Sequence, residues 1–260
     1  MVTGVSHSPK YSIVIPAYNE SARLPARLAS VFSCIRAHGW DAEVIVVNDG
    51  STDATAELVR KLAEEAPELR LIENPGNRGK GYSVRSGMLQ ARGQVLLFTD
   101  SDSSVSIEDA ENLFSAIAGG AQVAIGSRWL DTALQLRRQP FYRRFFGRCY
   151  NLVTRTVMGL PYADTQCGFK AFTSAAACIV FSLQTIERWG FDPEILYIAR
   201  RFGFRIQEVP VHWSHDDRTR MSYFRDGFRM LKEIAIIRWN VLRGRYKRPL
   251  DQTEDGAAAR

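Results

Sequence analysis

No apolar run in the 260-residue sequence approaches the roughly 18 residues that a membrane-spanning helix needs; stretches such as Val95-Leu96-Leu97-Phe98 are strand-sized. Met1 to Lys10 holds no apolar signal core, which predicts no cleaved signal peptide. The four cysteines (Cys34, Cys149, Cys167, Cys178) form no C-x-x-C pair, so they read as reduced cytosolic thiols rather than a disulfide framework or a structural zinc site. Histidine is scarce: His212 and His215 are close in sequence but lack a third ligand and read as surface residues. Nineteen glycines and ten prolines are too few for collagen or a low-complexity array. Acidic residues are missing altogether from Thr132 to Ala163.

What is present is an ordinary globular composition, 45% hydrophobic and 24% charged. The net charge of +6 is unevenly spread: Met1–Ser127 carries 11 Lys/Arg against 15 Asp/Glu, and Arg128–Arg260 carries 23 against 13. A basic C-terminal half facing an anionic partner follows, and arginine, at 28 residues against six lysines, suits bidentate phosphate contacts. No basic recognition motif accompanies the charge, so nucleic acid is not the expected partner.

Hydrophobic periodicity divides the first half into alternating elements. Strands are expected at Tyr11–Ala17, Glu43–Asn48, Leu69–Ile72, Val95–Thr99 and Gln122–Gly126, with helices over Glu20–Arg36, Thr52–Glu65 and Gly79–Ala91. A capping box at Ser106-Ile107-Glu108-Asp109 should open a helix to about Ala118. Short apolar strands alternating with helices predict an α/β fold with a mostly parallel sheet covered on both faces, and ligands bind such sheets beyond the carboxyl ends of their strands. The second half is less regular. A basic, aromatic helix is expected over Pro140–Met158, another near Asp192–Arg201, a strand over Arg205–Val209, a charged loop over Ser214–Arg220, and an amphipathic helix over Tyr223–Arg243.

The expected strand exits carry the chemistry. Gly79-Lys80-Gly81 lacks the third small residue of a dinucleotide fingerprint, and Gly76-Asn77-Arg78-Gly79-Lys80 has the wrong spacing for a Walker loop. Asp100-x-Asp102 is uninformative as a string, because 14 aspartates in 260 positions give about 0.75 such pairs by chance. Its position after an apolar strand is informative. Two carboxylates there repel unless they share a cation, and Mg²⁺ or Mn²⁺ accepts carboxylates together with diphosphate oxygens; a capping role is better filled by Ser106. Asp49 either accepts from a base N–H or forms an Asx turn. Glu20 either binds a ribose or starts a helix.

Ile13-Val14-Ile15-Pro16-Ala17-Tyr18-Asn19-Glu20, Val46 to Asp53, Asn74 to Gly87 and Thr99 to Asp102 together resemble family 2 inverting glycosyltransferases of the GT-A fold. Gly126-Ser127-Arg128, Asp164 to Phe172 and Arg188-Trp189-Gly190-Phe191-Asp192 resemble the dolichyl-phosphate β-glucosyltransferase branch of the polyprenyl-phosphate enzymes. The resemblance covers roughly Lys10 to Arg243. It implies a Rossmann-like nucleotide-binding sheet in one domain over 11–245, with a nucleotide-sugar half (11–127) and an acceptor- and membrane-facing half (128–245). A flexible start (1–10) and a disordered tail (246–260) flank it. It also implies a UDP-sugar donor and a polyprenyl-phosphate acceptor. Pro16, Ala17, Tyr18, Glu20 and Asp49 would hold the uridine, Lys80 and Arg85 would close over the donor, and Asp100 and Asp102 would hold the metal. Arg128, Arg218 and Arg220 match basic positions near the phosphates. Asp164 is either a catalytic base or a group orienting the acceptor or a turn; Asp102 and Asp164 are the expected catalytic pair.

A lipid monophosphate, with a second pKa near ~6, arrives with a nucleophilic oxygen and needs no strong base, whereas a hydroxyl acceptor does. Many relatives carry transmembrane helices and this sequence shows none. Its two basic aromatic helices, near Phe141–Met158 (Arg143, Arg144 and Arg148 among Phe145 and Phe146) and near Tyr223–Arg243, are therefore expected to hold the chain peripherally at the cytoplasmic membrane face, with a membrane-protein partner as the other route. Rival readings are a family 2 enzyme with another sugar or a soluble acceptor, and a silent nucleotide-sugar-binding or scaffolding protein.

Overall fold

A computed structural model describes residues 8–137, 140–215 and 223–247. Nine strands and eight α-helices occur among them: β1 (Tyr11–Ala17), α1 (Leu24–His38), β2 (Ala42–Asn48), α2 (Thr55–Glu65), β3 (Leu69–Glu73), α3 (Lys80–Gln90), β4 (Val95–Thr99), α4 (Ala110–Ala118), β5 (Val123–Ser127), β6 (Gln135–Arg137), α5 (Phe141–Met158), β7 (Phe169–Thr173), α6 (Ser174–Leu183), α7 (Phe191–Arg201), β8 (Ile206–Pro210), β9 (Trp213–Ser214) and α8 (Tyr223–Leu242). Seven strands form one sheet in the order β3-β2-β1-β4-β7-β5-β8, and β6 pairs with β9 in a small second sheet.

The expected α/β architecture is the one found. β1, β2, β3 and β4 run parallel, as do β5 and β8. Their near-continuous apolar residues are buried because helices cover both faces. On one side Ile13, Ile15, Val44 and Val46 pack with Leu24, Leu28, Val59 and Leu113 of α1, α2 and α4. On the other, Val14, Ile45, Val47 and Phe98 pack with Val84, Met88, Phe181, Ile195 and Ile237 of α3, α6, α7 and α8.

The departure from the expected pattern is β7, which runs antiparallel to both β4 and β5 and had no counterpart in the periodicity. Lys170 in its centre is fully buried and breaks the apolar reading; its ammonium reaches Asp192 Oδ1 at 2.5 Å and the Cys167 carbonyl at 2.5 Å. The reversal matters for the site. A reversed strand begins at the edge where its neighbours end, so the Asp164–Gly168 segment enters the same edge as the carboxyl ends of β1, β2, β4 and β5.

Two further expectations are corrected. Ser106 makes no capping bond; its hydroxyl contacts Glu108, a 3-10 turn spans Ile107–Asp109, and the α-helix starts at Ala110. The tail does not begin at 246: Tyr246 is buried, and its hydroxyl donates to Glu194 Oε1 at 2.6 Å. Among the described residues no helix is long and apolar enough to cross a membrane.

Candidate active site

The strand exits open into one cleft of about 520 Å³, lined by Pro16 and Ala17 at the end of β1, Tyr18 and Glu20 after it, Asp49 after β2, Lys80 at the start of α3, Asp100 and Asp102 after β4, Arg128 after β5, and Asp164 before β7. Ten of the thirteen residues singled out from the sequence are thus brought together. Arg218 and Arg220 lie outside the described residues. Arg85 is not in the cleft: it lies on another face of α3, and its Nε donates to the Phe181 carbonyl at 2.8 Å.

Asp49 is buried and works first as a clamp. Its carboxylate accepts from Asn74 Nδ2 at 2.8 Å, from Arg78 N–H at 3.0 Å and from Gly79 N–H at 2.7 Å, which fixes the 74–79 loop beside the cleft. Three donors leave part of its lone-pair capacity unused, on the Oδ2 side. The following Gly50 has φ +67°, and a Cβ there would come within 2.5 Å of the Gly76 backbone, so the loop closes only over glycine. Glu20 is engaged by the Arg23 guanidinium through both oxygens, with Nε to Oε2 at 2.6 Å.

The acidic pair sits on a strained loop. Asp102 Oδ1 accepts from Ser104 N–H at 3.0 Å, and the intervening Ser103 has φ 56°, in the left-handed region that non-glycine residues avoid. Asp100 Oδ1 meets Lys80 Nζ at 2.5 Å, and Lys80 also lies 5.5 Å over the Trp189 ring. Burial would lower the Lys80 ammonium, but the charges of Asp100 and Asp192 outweigh it and hold it raised. The register Thr99↔Phe169 puts Gly168 against Asp100. A Cβ at Gly168 would lie 2.2 Å from Asp100 Oδ2, so only glycine leaves the carboxylate where it is.

Beneath the pair lies a residue the sequence reading missed. Arg27 is 1% exposed, and its guanidinium donates to Thr99 Oγ1 at 2.5 Å and to the Val105 carbonyl at 3.1 Å. Desolvation lowers its pKa, opposed by the charges of Asp102 and then Asp100. The signal existed: with Leu24, Leu28 and Val31, Arg27 occupies a core-facing position of α1, where a lone charge needs a partner.

Arg128 and Asp164 form the second electrostatic unit. Arg128 Nε donates to Asp164 Oδ2 at 2.6 Å and Nη2 to Oδ1 at 2.9 Å, while Arg128 N–H and Gln166 N–H each reach the same carboxylate at 3.1 Å. Burial alone would raise the Asp164 carboxyl; Arg128 and these hydrogen bonds outweigh it and hold it below the ordinary carboxylate range. The guanidinium also lies 5.9 Å over both Trp129 and Trp213.

His215, expected at the surface, is 7% exposed and lines the cleft, because β9 carries it inward beside Trp213. His212 fits the surface expectation better; it is half exposed and its ring Nδ1 lies 2.9 Å from Asp109. Asp192, Trp189 and Tyr150 are further cleft residues to which the sequence attached no role, and Arg144, expected at the membrane, also lines the cleft. The exposed Arg148 lies 4.9 Å over the Trp129 ring.

The Glycosyl transferase family 2 model matches residues 12–178, the segment that supplies most of this cleft. A dolichyl-phosphate beta-glucosyltransferase of Trichomonas vaginalis is 38% identical over 223 residues, covering 81% of this chain and 68% of that protein. That of Saccharomyces cerevisiae is 35% identical over 256 residues, covering 91% and 76%. Among solved structures, glucosyl-3-phosphoglycerate synthase from Mycobacterium tuberculosis in complex with Mn²⁺, UDP and phosphoglyceric acid superposes with a TM-score of 0.63 over 93% of this chain and 80% of that one, at 19% identity, a likeness of fold. With the matched segment supplying the strand exits, and relatives above 30% identity spanning most of both chains, the chain belongs to glycosyl transferase family 2 and is a glycosyltransferase.

Proposed function

We propose that the chain transfers glucose from UDP-glucose to dolichyl or another polyprenyl phosphate, with inversion at the anomeric carbon. The observation that carries this reading is the state of Asp164. A carboxylate held low by Arg128 and already accepting from four N–H groups is not available as a general base. A hydroxyl acceptor would need such a base; a phosphate brings its own nucleophilic oxygen and suits the guanidinium that Asp164 orients. The relatives named as dolichyl-phosphate beta-glucosyltransferases supply the sugar and the lipid.

In the reaction the bond between the anomeric carbon and the diphosphate oxygen breaks, its electron pair leaving with UDP. An acceptor phosphate oxygen forms the new bond from the opposite face. Pro16, Ala17, Tyr18 and the free side of Asp49 line the nucleoside end, and Lys80 stands over the diphosphate. Asp100 and Asp102, two carboxylates on one loop at the cleft, fit a divalent cation shared with the diphosphate, since Mg²⁺ and Mn²⁺ take one or two carboxylates together with phosphate oxygens. Mg²⁺ or Mn²⁺ bound there would neutralise charge building on the leaving group.

Incubation with labelled UDP-glucose, Mn²⁺ and polyprenyl phosphate should move label into the organic phase. Preference for GDP-mannose, or label transferred only to a water-soluble hydroxyl compound, overturns the reading. Gly168→Ala should lower this activity about 100-fold by displacing Asp100, since ångström misplacement costs that much. An unchanged rate would dissociate Asp100 from the chemistry.

The same reading has the chain sit peripherally on the cytoplasmic membrane face, through the two basic aromatic helices expected from the sequence. α5 and α8 pack together, and their outward sides carry Phe141, Phe145 and Leu152 on one, Phe228, Trp239 and Leu242 on the other, with Phe141 at 81% and Phe228 at 75% exposure. Such aromatic, leucine-rich faces with basic flanks suit the headgroup boundary. Phe141→Ser with Phe228→Ser should weaken co-sedimentation with anionic liposomes about tenfold or more, with little dependence on salt, each phenylalanine burying at most ~2–3 kcal/mol of apolar surface. Failure of the wild type to bind liposomes at low salt would turn attention to a membrane-protein partner.

A further inference from the structure

Arg85, displaced from the donor cleft, lines a second cavity of about 350 Å³ together with Tyr82, Gln184, Thr185, Glu187 and Arg245, none of which lines the catalytic cleft. The polar groups around it are unbalanced. Gln184 is 4% exposed, and its Nε2 donates to the Gly81 carbonyl at 2.9 Å and the Ile186 carbonyl at 2.8 Å. Its Oε1 is buried and has no partner among the described residues. Exchanging the amide's O and N does not help, because both neighbours are acceptors. A buried amide oxygen without a donor is costly, and native structures usually provide one.

The charges are unbalanced too. The Arg85 guanidinium spends only Nε, on the Phe181 carbonyl, and its two terminal nitrogens have no partner among the described residues. Arg245 extends from the turn after α8, exposed, and its guanidinium likewise meets no carboxylate among them. The acid present, Glu187, is already held by Arg78 at 2.7 Å. The cavity therefore offers two uncompensated guanidinium groups and one buried acceptor.

We propose that this second cavity is a binding site for a small phosphate monoester bearing hydroxyl groups, its phosphate on Arg85 and Arg245 and one hydroxyl donating to Gln184 Oε1. Guanidinium forks match phosphate oxygens bidentately, and an anion alone leaves the amide oxygen unsatisfied. The volume lies within the range of small-molecule sites and exceeds what inorganic phosphate fills. The site is wired to the catalytic cleft through the 184–189 segment. Gln184 is bonded to Gly81, Glu187 accepts from Tyr82 N–H at 2.9 Å, and Trp189, two residues on, lies against Lys80. An occupant that orders this segment should change the KM for donor.

The test is calorimetry on the full chain saturated with UDP, so that the donor part of the catalytic cleft is filled, with glucose 6-phosphate and inorganic phosphate as probes at low salt. Glucose 6-phosphate should bind saturably near one per chain. Arg85→Ala and Arg245→Ala should each weaken it about tenfold or more, the size of a lost charge-assisted contact. Arg245 is exposed, so its variant tests the site even if Arg85→Ala folds poorly. Arg128→Met, which removes the guanidinium proposed to meet the acceptor phosphate in the cleft, should leave this binding unchanged, and inorganic phosphate should bind more weakly. Absence of saturable binding in the wild type, or a loss that follows Arg128→Met instead of Arg245→Ala, overturns the site. Equal affinity for inorganic phosphate overturns the ligand class.

Discussion

Asp102→Asn should cut hexose transfer by about 10³-fold, the scale of removing a preorganised electrostatic partner of the departing charge, while the chain stays folded. Asparagine keeps an oxygen at the Oδ1 position, so the bond from Ser104 N–H at 3.0 Å and the left-handed Ser103 it supports can persist. What disappears is one negative charge beside Asp100. That charge faces two ways. Upward, on the proposed function, it would meet the cation and diphosphate; downward it is the first of the charges that keep the desolvated Arg27 guanidinium comfortable. The variant should therefore lose a few degrees in Tm along with its activity, and Mn²⁺ binding to the UDP complex, read by water proton relaxation, should weaken at least about tenfold. Asp102→Ala, which also removes the turn acceptor, should lose more Tm for the same activity. Near-normal turnover in Asp102→Asn, or wild-type transfer that resists chelation, would take the acidic pair out of the chemistry.

The residues of this loop illustrate what could be read before any coordinates. β1 and β4 appear with the bounds their apolar runs suggested, and each polar exit after a parallel strand went to the cleft because strand ends in such sheets point one way. Residues adjacent in sequence to those exits, such as Asp49, Lys80 and Asp102, were therefore legible. Partnerships between distant segments were not. Lys170 looks like an interruption in a weak strand until Asp192, 22 residues later, is seen to neutralise it, and without that pair β7 and its reversed direction stay hidden. Arg85 failed for a different reason. On a helix, five residues from Lys80 is well over a full turn, and the side chain leaves the cleft face for the Phe181 side. Arg144 and Arg148 have partners that composition does not show: Arg144 lines the cleft, as Phe146 does, and Arg148 lies over Trp129, while Phe141 and Phe145 of the same helix are exposed.

Arg128→Met should be the more destabilising change at the second electrostatic unit, costing about 3–5 kcal/mol, the range for removing one partner of a buried ion pair. At roughly 2–4 °C per kcal/mol for a chain of this size, the Tm should fall on the order of 10 °C. The reason is asymmetric burial: the Asp164 side chain is 1% exposed and cannot reach water, whereas that of Arg128 is 21% exposed and can. Asp164→Asn should accordingly cost less than Arg128→Met, although both should impair transfer if the proposed acceptor is right, Arg128→Met by removing the guanidinium proposed to meet its phosphate and Asp164→Asn by releasing it. The pH dependence separates this from simple loss of packing. Because the folded-state pKa of Asp164 is depressed, its contribution to stability is fully present above its unfolded value of about 3.9 and is lost as pH falls through the lower folded value. Removing Arg128 lets the carboxyl rise toward its unfolded value, so the protons taken up on unfolding fall and the acid limb of stability should flatten below about pH 4. Urea unfolding of wild type and both variants at pH 7 and between pH 2.5 and 4.5 measures all three quantities. A loss under about 1 kcal/mol in Arg128→Met, or an acid limb as steep as that of the wild type, would mean that Asp164 is satisfied by the Arg128 and Gln166 backbone N–H groups alone.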